Sequence, residues 1–377
     1  MPYITVRQTP RAHQLTFEDV LFGTTSRYSQ PVRDNTGDTV TRFVEALPPA
    51  LIVPEYRASL IRSLTSFAET YADLYGQPRA SLYHSYTIPK RSGGRRQIDE
   101  PLPPLMNALR NLKSMLEINF SVLHHTSAFA YVKGRSTVDA VRRHQSNNSR
   151  WFLKTDFSNF FGSTTKEFLM RMLKHIYPFS YVCQVPEGER ALDRVIDLCF
   201  LNGGLPQGTP VSPTLTNLMM IPIDFAISHQ LRSGKYVYTR YADDILISHR
   251  ESFNHEQMVM TIDEVLRRFG APFRIKPEKT RYGSSAGRNW NLGVMLTKDN
   301  KITVGRKRKE QLKAMCHSYL QARSTGNPWD VSDVQYMQGL MSYYKMVEPE
   351  YMQGFITYIN SRFQVNLLAL IREDLNH

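Results

Sequence analysis

The spacing of apolar residues divides the chain into predicted helices. Over residues 54–75 they recur every three or four positions, which predicts an amphipathic helix that ends at Gly76. Residues 166–200 are predicted to be helical apart from an unpatterned loop at 178–190. The other predicted helices cover residues 16–22, 103–120, 212–220, 253–269 and about 305–322.

A predicted β-hairpin carries two adjacent acidic residues at its tip. β-prone residues 236–241 and 245–248 flank Asp243 and Asp244. Because the flanking runs bury apolar side chains, both carboxylates are expected to be held rigidly. Two fixed carboxylates close together repel one another unless a cation lies between them, so the pattern favours a metal site.

A third acidic residue follows a separate predicted strand. Residues 151–156 form an apolar run that ends at Asp156, far before Asp243 in the chain. Paired beside the acidic hairpin, this strand would complete a pocket of carboxylate oxygens suited to Mg²⁺. Two such ions roughly 3.5–4 Å apart are the arrangement used in nucleotidyl transfer. Trp151 and Lys154 are expected to face away from Asp156 or to pack, without a role.

A second predicted hairpin, over residues 83–101, is basic. It turns at Ser92-Gly93-Gly94, and the turn is bracketed by four cations. Lysine and arginine side chains on a rigid hairpin can hold a triphosphate, arginine in a bidentate manner. The four cations are Lys90, Arg91, Arg95 and Arg96.

The composition narrows the class of partner. A chain of 377 residues with 41% hydrophobic and 11% aromatic residues is globular, and a net charge of +13 favours a polyanion, nucleic acid first. Three dispersed cysteines, at positions 183, 199 and 316, indicate neither a disulfide framework nor a zinc module, and they favour a cytoplasmic protein. No apolar run approaches the roughly 20 residues of a membrane helix, so no membrane partner is expected.

Three short motifs in this order resemble those of reverse transcriptases. They are D-x-x-x-F-F at 156–161, LPQG at 205–208 and YADD at 241–244. The likeness is closest to the bacterial branch, which includes group II intron, retron and stand-alone defence-associated enzymes. The resemblance implies a right-hand polymerase of the α+β class. Fingers and an antiparallel palm sheet would occupy residues 81–300, a helical thumb 301–377 and an N-terminal extension 1–80.

The resemblance also implies roles at the incoming nucleotide. Lys90 and Arg96 would hold the triphosphate, and Arg95 could replace Arg96. Phe161 would stack under the sugar and exclude a 2′-hydroxyl, while one of the Phe160–Phe161 pair is expected to be core. The remaining implied roles fall to Gln207 at the sugar and template base, to the Phe157 carbonyl as a metal donor, and to Lys279, close to Lys276, as proton donor to pyrophosphate.

Template and primer contacts are implied for three further regions. Gly134 and Arg135 would open a helix that meets phosphates, and Gly293 would belong to the primer grip. Arg306 and Arg308 lie at the basic start of the predicted thumb, where they would follow the phosphates of a template–primer duplex.

The predicted function is therefore RNA-directed DNA synthesis with two Mg²⁺ ions, in antiphage defence. An RNA-dependent RNA polymerase and an RNA-binding pseudo-polymerase are the rivals in activity, and a retron enzyme is the rival in role. Retron enzymes usually carry Asn-Ala and then His where this chain has Asp139-Ala140 and His144, and Val-Thr-Gly where it has Asn291-Leu292-Gly293. The expected partners are a structured RNA template, the DNA product and dNTPs, with a homo-oligomer or an accessory effector protein as open alternatives.

Overall fold

The computed structural model describes residues 54–90, 93–120, 124–285, 289–291, 294–297 and 299–376. The helix predicted at 16–22 lies outside these residues. The chain divides into two compact units. The first comprises the described part of Met1–Ala128 with Phe157–Ile227 and Thr261–Arg274, and the second comprises Phe129–Asp156, Ser228–Met260 and Ile275–His377.

Helices outnumber strands in the described part of the chain. The helices are α1 (Pro54–Thr70), α2 (Ala72–Tyr75), α3 (Pro103–Ile118), α4 (Thr137–Ser146), α5 (Phe160–Ser163), α6 (Lys166–Leu173), α7 (Phe179–Val182), α8 (Pro186–Asp197), α9 (Ser212–Met219), α10 (Ile221–Arg232), α11 (His255–Arg268), α12 (Arg306–Ser324), α13 (Val331–Val347), α14 (Pro349–Phe363) and α15 (Leu367–Asn376). The strands are β1 (Tyr83–Pro89), β2 (Arg95–Pro101), β3 (Trp151–Asp156), β4 (Val237–Tyr241), β5 (Asp244–His249), β6 (Arg281–Ser284), β7 (Asn289–Asn291), β8 (Val294–Leu296) and β9 (Ile302–Thr303).

The first unit is mainly helical and carries the basic hairpin. Helix α1 buries one apolar face and α2 ends at Gly76, as the spacing predicts. Strands β1 and β2 pair antiparallel from Tyr83 opposite Pro101 to Pro89 opposite Arg95, which confirms the predicted hairpin. Helix α3 buries leucines at positions 105, 109, 112 and 116.

The unpatterned loop predicted at 178–190 is wrong, because α7 and the first five residues of α8 lie within it. Pro186 stands within the first turn of α8, where a proline costs no main-chain hydrogen bond. Position 188 requires glycine, because a Cβ there would lie 2.2 Å from the Val182 carbonyl oxygen. Helix α8 then buries Leu192 and Val195 and packs on α1.

The second unit is built on an antiparallel sheet. Its strand order is β4-β5-β3-β6, and β7, β8 and β9 form a separate three-stranded sheet. Sheet residues Phe152 and Leu246 belong to the same apolar core as Leu312, Met337 and other residues of helices α12 to α15. The helical C-terminal segment and the antiparallel sheet confirm the predicted α+β class, while the domain boundaries at 80 and 300 remain predictions. Among the described residues, no helix is both long and apolar enough to cross a bilayer.

Candidate active site

The acidic hairpin is formed by the edge strand β4 and the inner strand β5. Their register ends with Tyr241 opposite Asp244, so the connection consists of Ala242 and Asp243 alone. The middle residues of both strands are buried. Because an aspartate has a short side chain, this buried backbone fixes where the two carboxylates lie.

Strand β3 brings the third acid to the same end of the sheet. It pairs antiparallel with β5, and Asp156 lies directly opposite Asp244. Asp156 is 6% exposed, and its Oδ1 atom is buried without a hydrogen-bond partner. The three predicted acids therefore meet at one edge of one unit.

Two lysines form ion pairs with two of the three acids. Lys279 Nζ donates to Asp156 Oδ2, and Lys154 Nζ donates to Asp244 Oδ2 over 3.1 Å. Lys154 precedes Asp156 by two residues, and alternate residues of a strand share a face. The expectation that Lys154 faces away from the site is therefore wrong. Trp151 does pack, with its ring stacked on Tyr282.

The electrostatics of the cluster favour a bound cation. Burial, followed by the negative charge of Asp156, raises the pKa of Asp243 above its usual range. Burial alone would lower the pKa of Lys279, but its hydrogen bond to Asp156 and the charges of the three aspartates raise it. A cation between the carboxylates would relieve this repulsion.

The donor set fits a hard divalent ion. The three carboxylates supply oxygens, and Asp156 Oδ1 is already buried without a partner. Among the residues that the structure describes, no three acidic, histidine or cysteine side chains are preassembled around one point. Asp156 and Asp244 each turn one oxygen onto a lysine instead.

Main-chain hydrogen bonds connect the segments that carry three of the predicted nucleotide ligands, all within the first unit. The Asp99 N–H, on the strand of Arg96, donates to the Gln207 carbonyl over 2.8 Å. The Leu205 N–H donates to the Phe161 carbonyl over 3.1 Å. The loop of Gln207 thus joins the basic hairpin to the Phe161 segment.

The phenylalanines after Asp156 divide between core and surface. Phe157 and Phe160 are buried and pack on each other and on Phe273. Phe161 is only half-buried and meets Phe160 edge-on. This confirms the expectation that one of the pair Phe160–Phe161 is core.

The cations of the basic hairpin differ in their contacts. Arg95 donates to the Thr87 hydroxyl and carbonyl oxygens, so its guanidinium is held along the hairpin. Arg96 is exposed opposite Ile88. Lys90 adjoins the turn, where its N–H donates to Gly94 O over 2.9 Å.

The predicted template and primer residues that the structure describes lie in the second unit. Gly134 adopts φ 78° ahead of Arg135, and Ser136 caps α4 through a capping box with Asp139. Asp139 therefore has a structural use where the retron pattern has asparagine. Arg306 is exposed in the first turn of α12 and pairs with Glu310, and Arg308 follows it in the same helix. Gly293 lies outside the described residues.

Two polar residues beneath the acidic hairpin were not predicted. His144 is fully buried, with Nδ1 2.6 Å from Ser248 Oγ and Nε2 2.8 Å from Thr239 Oγ1. Arg240 is fully buried and donates from Nη1 to the Ala242 carbonyl over 2.9 Å. A charged residue inside an otherwise β-prone run was the available signal for Arg240.

A family model described as reverse transcriptase (RNA-dependent DNA polymerase) matches residues 88–316. The chain therefore belongs to the reverse transcriptase family, and this confirms the predicted right-hand polymerase fold and RNA-directed DNA polymerase activity. An RNA template, a DNA product and a divalent metal requirement follow from that membership.

Several curated relatives are retron enzymes. The chain is 29% identical over 305 residues to the retron Ec83 reverse transcriptase of Escherichia coli, covering 77% of this chain and 91% of that protein. The retron Mx162 reverse transcriptase of Myxococcus xanthus is 26% identical over 301 residues, which cover 74% of this chain and 60% of that protein. Among solved structures, a telomerase from Candida albicans matches 83% of this chain and 65% of that chain at a TM-score of 0.44 and 12% identity.

Proposed function

We propose that Asp156, Asp243 and Asp244 are the metal-binding acids of this polymerase. The observation that carries the proposal is the register that sets Asp156 opposite Asp244, with Asp243 in the adjoining two-residue turn. The buried, unpartnered Oδ1 of Asp156 and the raised pKa of Asp243 support it.

The metal proposed for these acids is Mg²⁺, as two ions, with the Phe157 carbonyl as a further donor. When bound, the ions lower the pKa of the primer 3′-hydroxyl and neutralise the triphosphate. Asp156 and Asp243 hold them, and Asp244 acts as the third acid. Lys154 and Lys279 are the counter-charges that a bound cation would replace, which leaves Lys279 able to donate its proton to the leaving pyrophosphate.

The nucleotide-binding roles proposed for the first unit follow from side-chain shape and charge. Lys90 and Arg96 bind the triphosphate, Gln207 lies at the sugar and template base, and Phe161 excludes a 2′-hydroxyl by filling its space. The half-buried position of Phe161 supports its role. Phe161→Ala should admit rNTPs that the parent protein rejects. Equal discrimination in both proteins would refute that role.

The proposed contacts with the template–primer duplex involve Gly134, Arg135, Gly293, Arg306 and Arg308. The exposure of Arg306 in the first turn of α12 supports the thumb contact. Such phosphate contacts should make binding weaken with added salt.

The test of the acids is the double substitution Asp243→Asn with Asp244→Asn. It should abolish dNTP incorporation on a primed RNA without unfolding the protein. A matched control is Asp193→Asn with Asp197→Asn, since these two aspartates also share a lysine, Lys166. Undiminished synthesis by the Asp243–Asp244 variant would refute the assignment.

The biological role proposed is antiphage defence, in the cytoplasm. All three cysteines are free, as suits a reducing compartment. A retron role is the second candidate, favoured by the match over 91% of the retron Ec83 enzyme. Sequencing the nucleic acid that co-purifies with the protein separates the two: DNA covalently joined to a structured RNA supports the retron role, and free DNA supports a stand-alone enzyme.

A further inference from the structure

Arg240 is a fully buried cation in the strand that leads to the acidic turn. Its side chain is 0% exposed, although arginine is almost never buried unless it is paired. Its main chain is fixed by the strand register opposite Ile245 and by the Phe129 N–H, which donates to its carbonyl over 2.9 Å. The main-chain position from which the guanidinium extends is therefore fixed.

The guanidinium holds the main chain of the turn itself. Nη1 donates to the Ala242 carbonyl over 2.9 Å. That carbonyl belongs to the peptide that joins Ala242 to Asp243. Rotation of this peptide would swing the Asp243 carboxylate away from Asp156 and Asp244.

Ala242 needs such a restraint because its backbone is unfavourable. It adopts φ 58°, in the left-handed region that a Cβ disfavours, and Asp243 does not share this sign. In two-residue hairpin connections with a positive φ at the first position, glycine is the preferred residue. This chain has alanine there, held by a neighbouring side chain.

We propose that Arg240 is a positioning residue that fixes the Ala242–Asp243 peptide and thereby the Asp243 carboxylate. The proposal rests on the proposed function only in taking Asp243 as a metal ligand. A purely structural role would be to fill space under the sheet. Replacing an arginine that does only this would lower stability without a selective effect on metal binding or on kcat.

The experiment compares Arg240→Gln, Ala242→Gly and the double variant. Arg240→Gln should lower kcat about tenfold or more, as expected for loss of a charged hydrogen bond. It should also weaken Mn²⁺ binding measured by electron paramagnetic resonance, with the KM for dNTP nearly unchanged. Adding Ala242→Gly to Arg240→Gln should restore part of kcat and part of the Mn²⁺ affinity. Glycine adopts a positive φ readily, so it does not need the restraint that the guanidinium provides.

Arg171→Gln is the matched control. Arg171 donates to the Phe269 and Gly270 carbonyls beside another positive-φ residue, but in the first unit. It should change melting temperature alone. Arg240→Gln with full kcat and full Mn²⁺ affinity would overturn the proposal, and so would a double variant no better than Arg240→Gln.

A second variant covers the case in which Arg240→Gln fails to fold. Ala242→Val puts a β-branched residue at positive φ and leaves Arg240 in place, so it should lower kcat and Mn²⁺ affinity together. Unchanged values in that variant would also overturn the proposal. Failure of the proposed function is recognised separately, since only then does Asp243→Asn retain Mn²⁺ binding and synthesis.

Discussion

The hairpins β1–β2 and β4–β5 have the same topology and opposite character. In β1 every residue after Tyr83 is exposed, and the turn contains Gly93 and Gly94, both at positive φ in open space. In β4 and β5 the middle residues are buried, and the turn contains Ala242, held by Arg240. The first hairpin carries cations and the second carries acids.

The difference follows from the length of the side chains that each hairpin presents. Lysine and arginine have long flexible stems, so an exposed hairpin can let them adjust to a ligand. Aspartate has a single methylene, so its carboxylate goes only where the backbone puts it. Carboxylates that must share a cation therefore need buried strands, whereas cations that hold a phosphate do not.

Asp243→Glu should produce the largest effect. The added methylene displaces the carboxylate by about 1 Å, and misplacement of that size can cost about 10²-fold in rate. The expected result is that fall in kcat with little change in melting temperature, measured by steady-state dNTP incorporation and thermal unfolding. A variant that keeps more than about a tenth of kcat would contradict the rigidity assigned to this hairpin.

Arg96→Ala on the exposed hairpin should act on binding. Loss of a charge-assisted hydrogen bond to a phosphate should raise the KM for dNTP roughly 10–100-fold, while melting temperature is unchanged. Arg96→Lys should lose less, because a long cation can adjust there. Arg95→Ala is the control, since Arg95 already donates to Thr87. A larger rise in the KM for dNTP in Arg95→Ala than in Arg96→Ala would mean that Arg95, rather than Arg96, binds the triphosphate.

The next prediction concerns the pH dependence of the acidic hairpin, through the titration of Asp243. Because the pKa of Asp243 is raised in the metal-free protein, its carboxyl protonates at a higher pH than an ordinary aspartate does, and Mg²⁺ binding should weaken as pH falls through that range. When a chelator removes the metal, the folded state binds this proton more tightly than the unfolded state does. The free energy of unfolding should therefore fall as pH rises through the raised pKa. Asp156→Asn should move the Asp243 titration, followed by carboxyl NMR, to lower pH. If the Asp243 titration did not move, Asp156 would not be a cause of the raised pKa of Asp243.

Gly94→Ala should give the smallest effect. Gly94 adopts φ 76° with no atom within 4 Å of an added Cβ, so only backbone strain opposes the change. The free energy of unfolding should fall by roughly 1–2 kcal/mol with kcat unchanged. A loss of kcat would mean that the exposed turn is as constrained as the buried one.

The sequence predicted both hairpins because their signals are local. β-prone runs, turn residues and the acidic pair lie within a few positions of one another, and β3 ends at Asp156 as expected. The meeting of Asp156 with Asp244 required the resemblance to a family as well, since no local pattern joins them. The start of α4 was likewise predicted from a local signal, the residues Gly134-Arg135-Ser136 that precede the helix and include its N-cap.

The missed features depend on contacts between distant parts of the chain. Gly188 looks like a helix breaker until Val182 is placed against it. Arg240 and His144 look like surface residues until both faces of their elements are covered. Lys154 was misplaced although strand alternation sets it on the face of Asp156.

His144 has a consequence for acid titrations of this enzyme. Burial first, and the charge of Arg143 second, lower its pKa to about 3, and both ring nitrogens lie within hydrogen-bond distance of hydroxyls of β4 and β5. The imidazole thus stays uncharged throughout any practical assay range and contributes no inflection of its own near neutrality. A rate-profile midpoint at about pH 6, where an ordinary imidazole titrates, should accordingly not be assigned to this histidine.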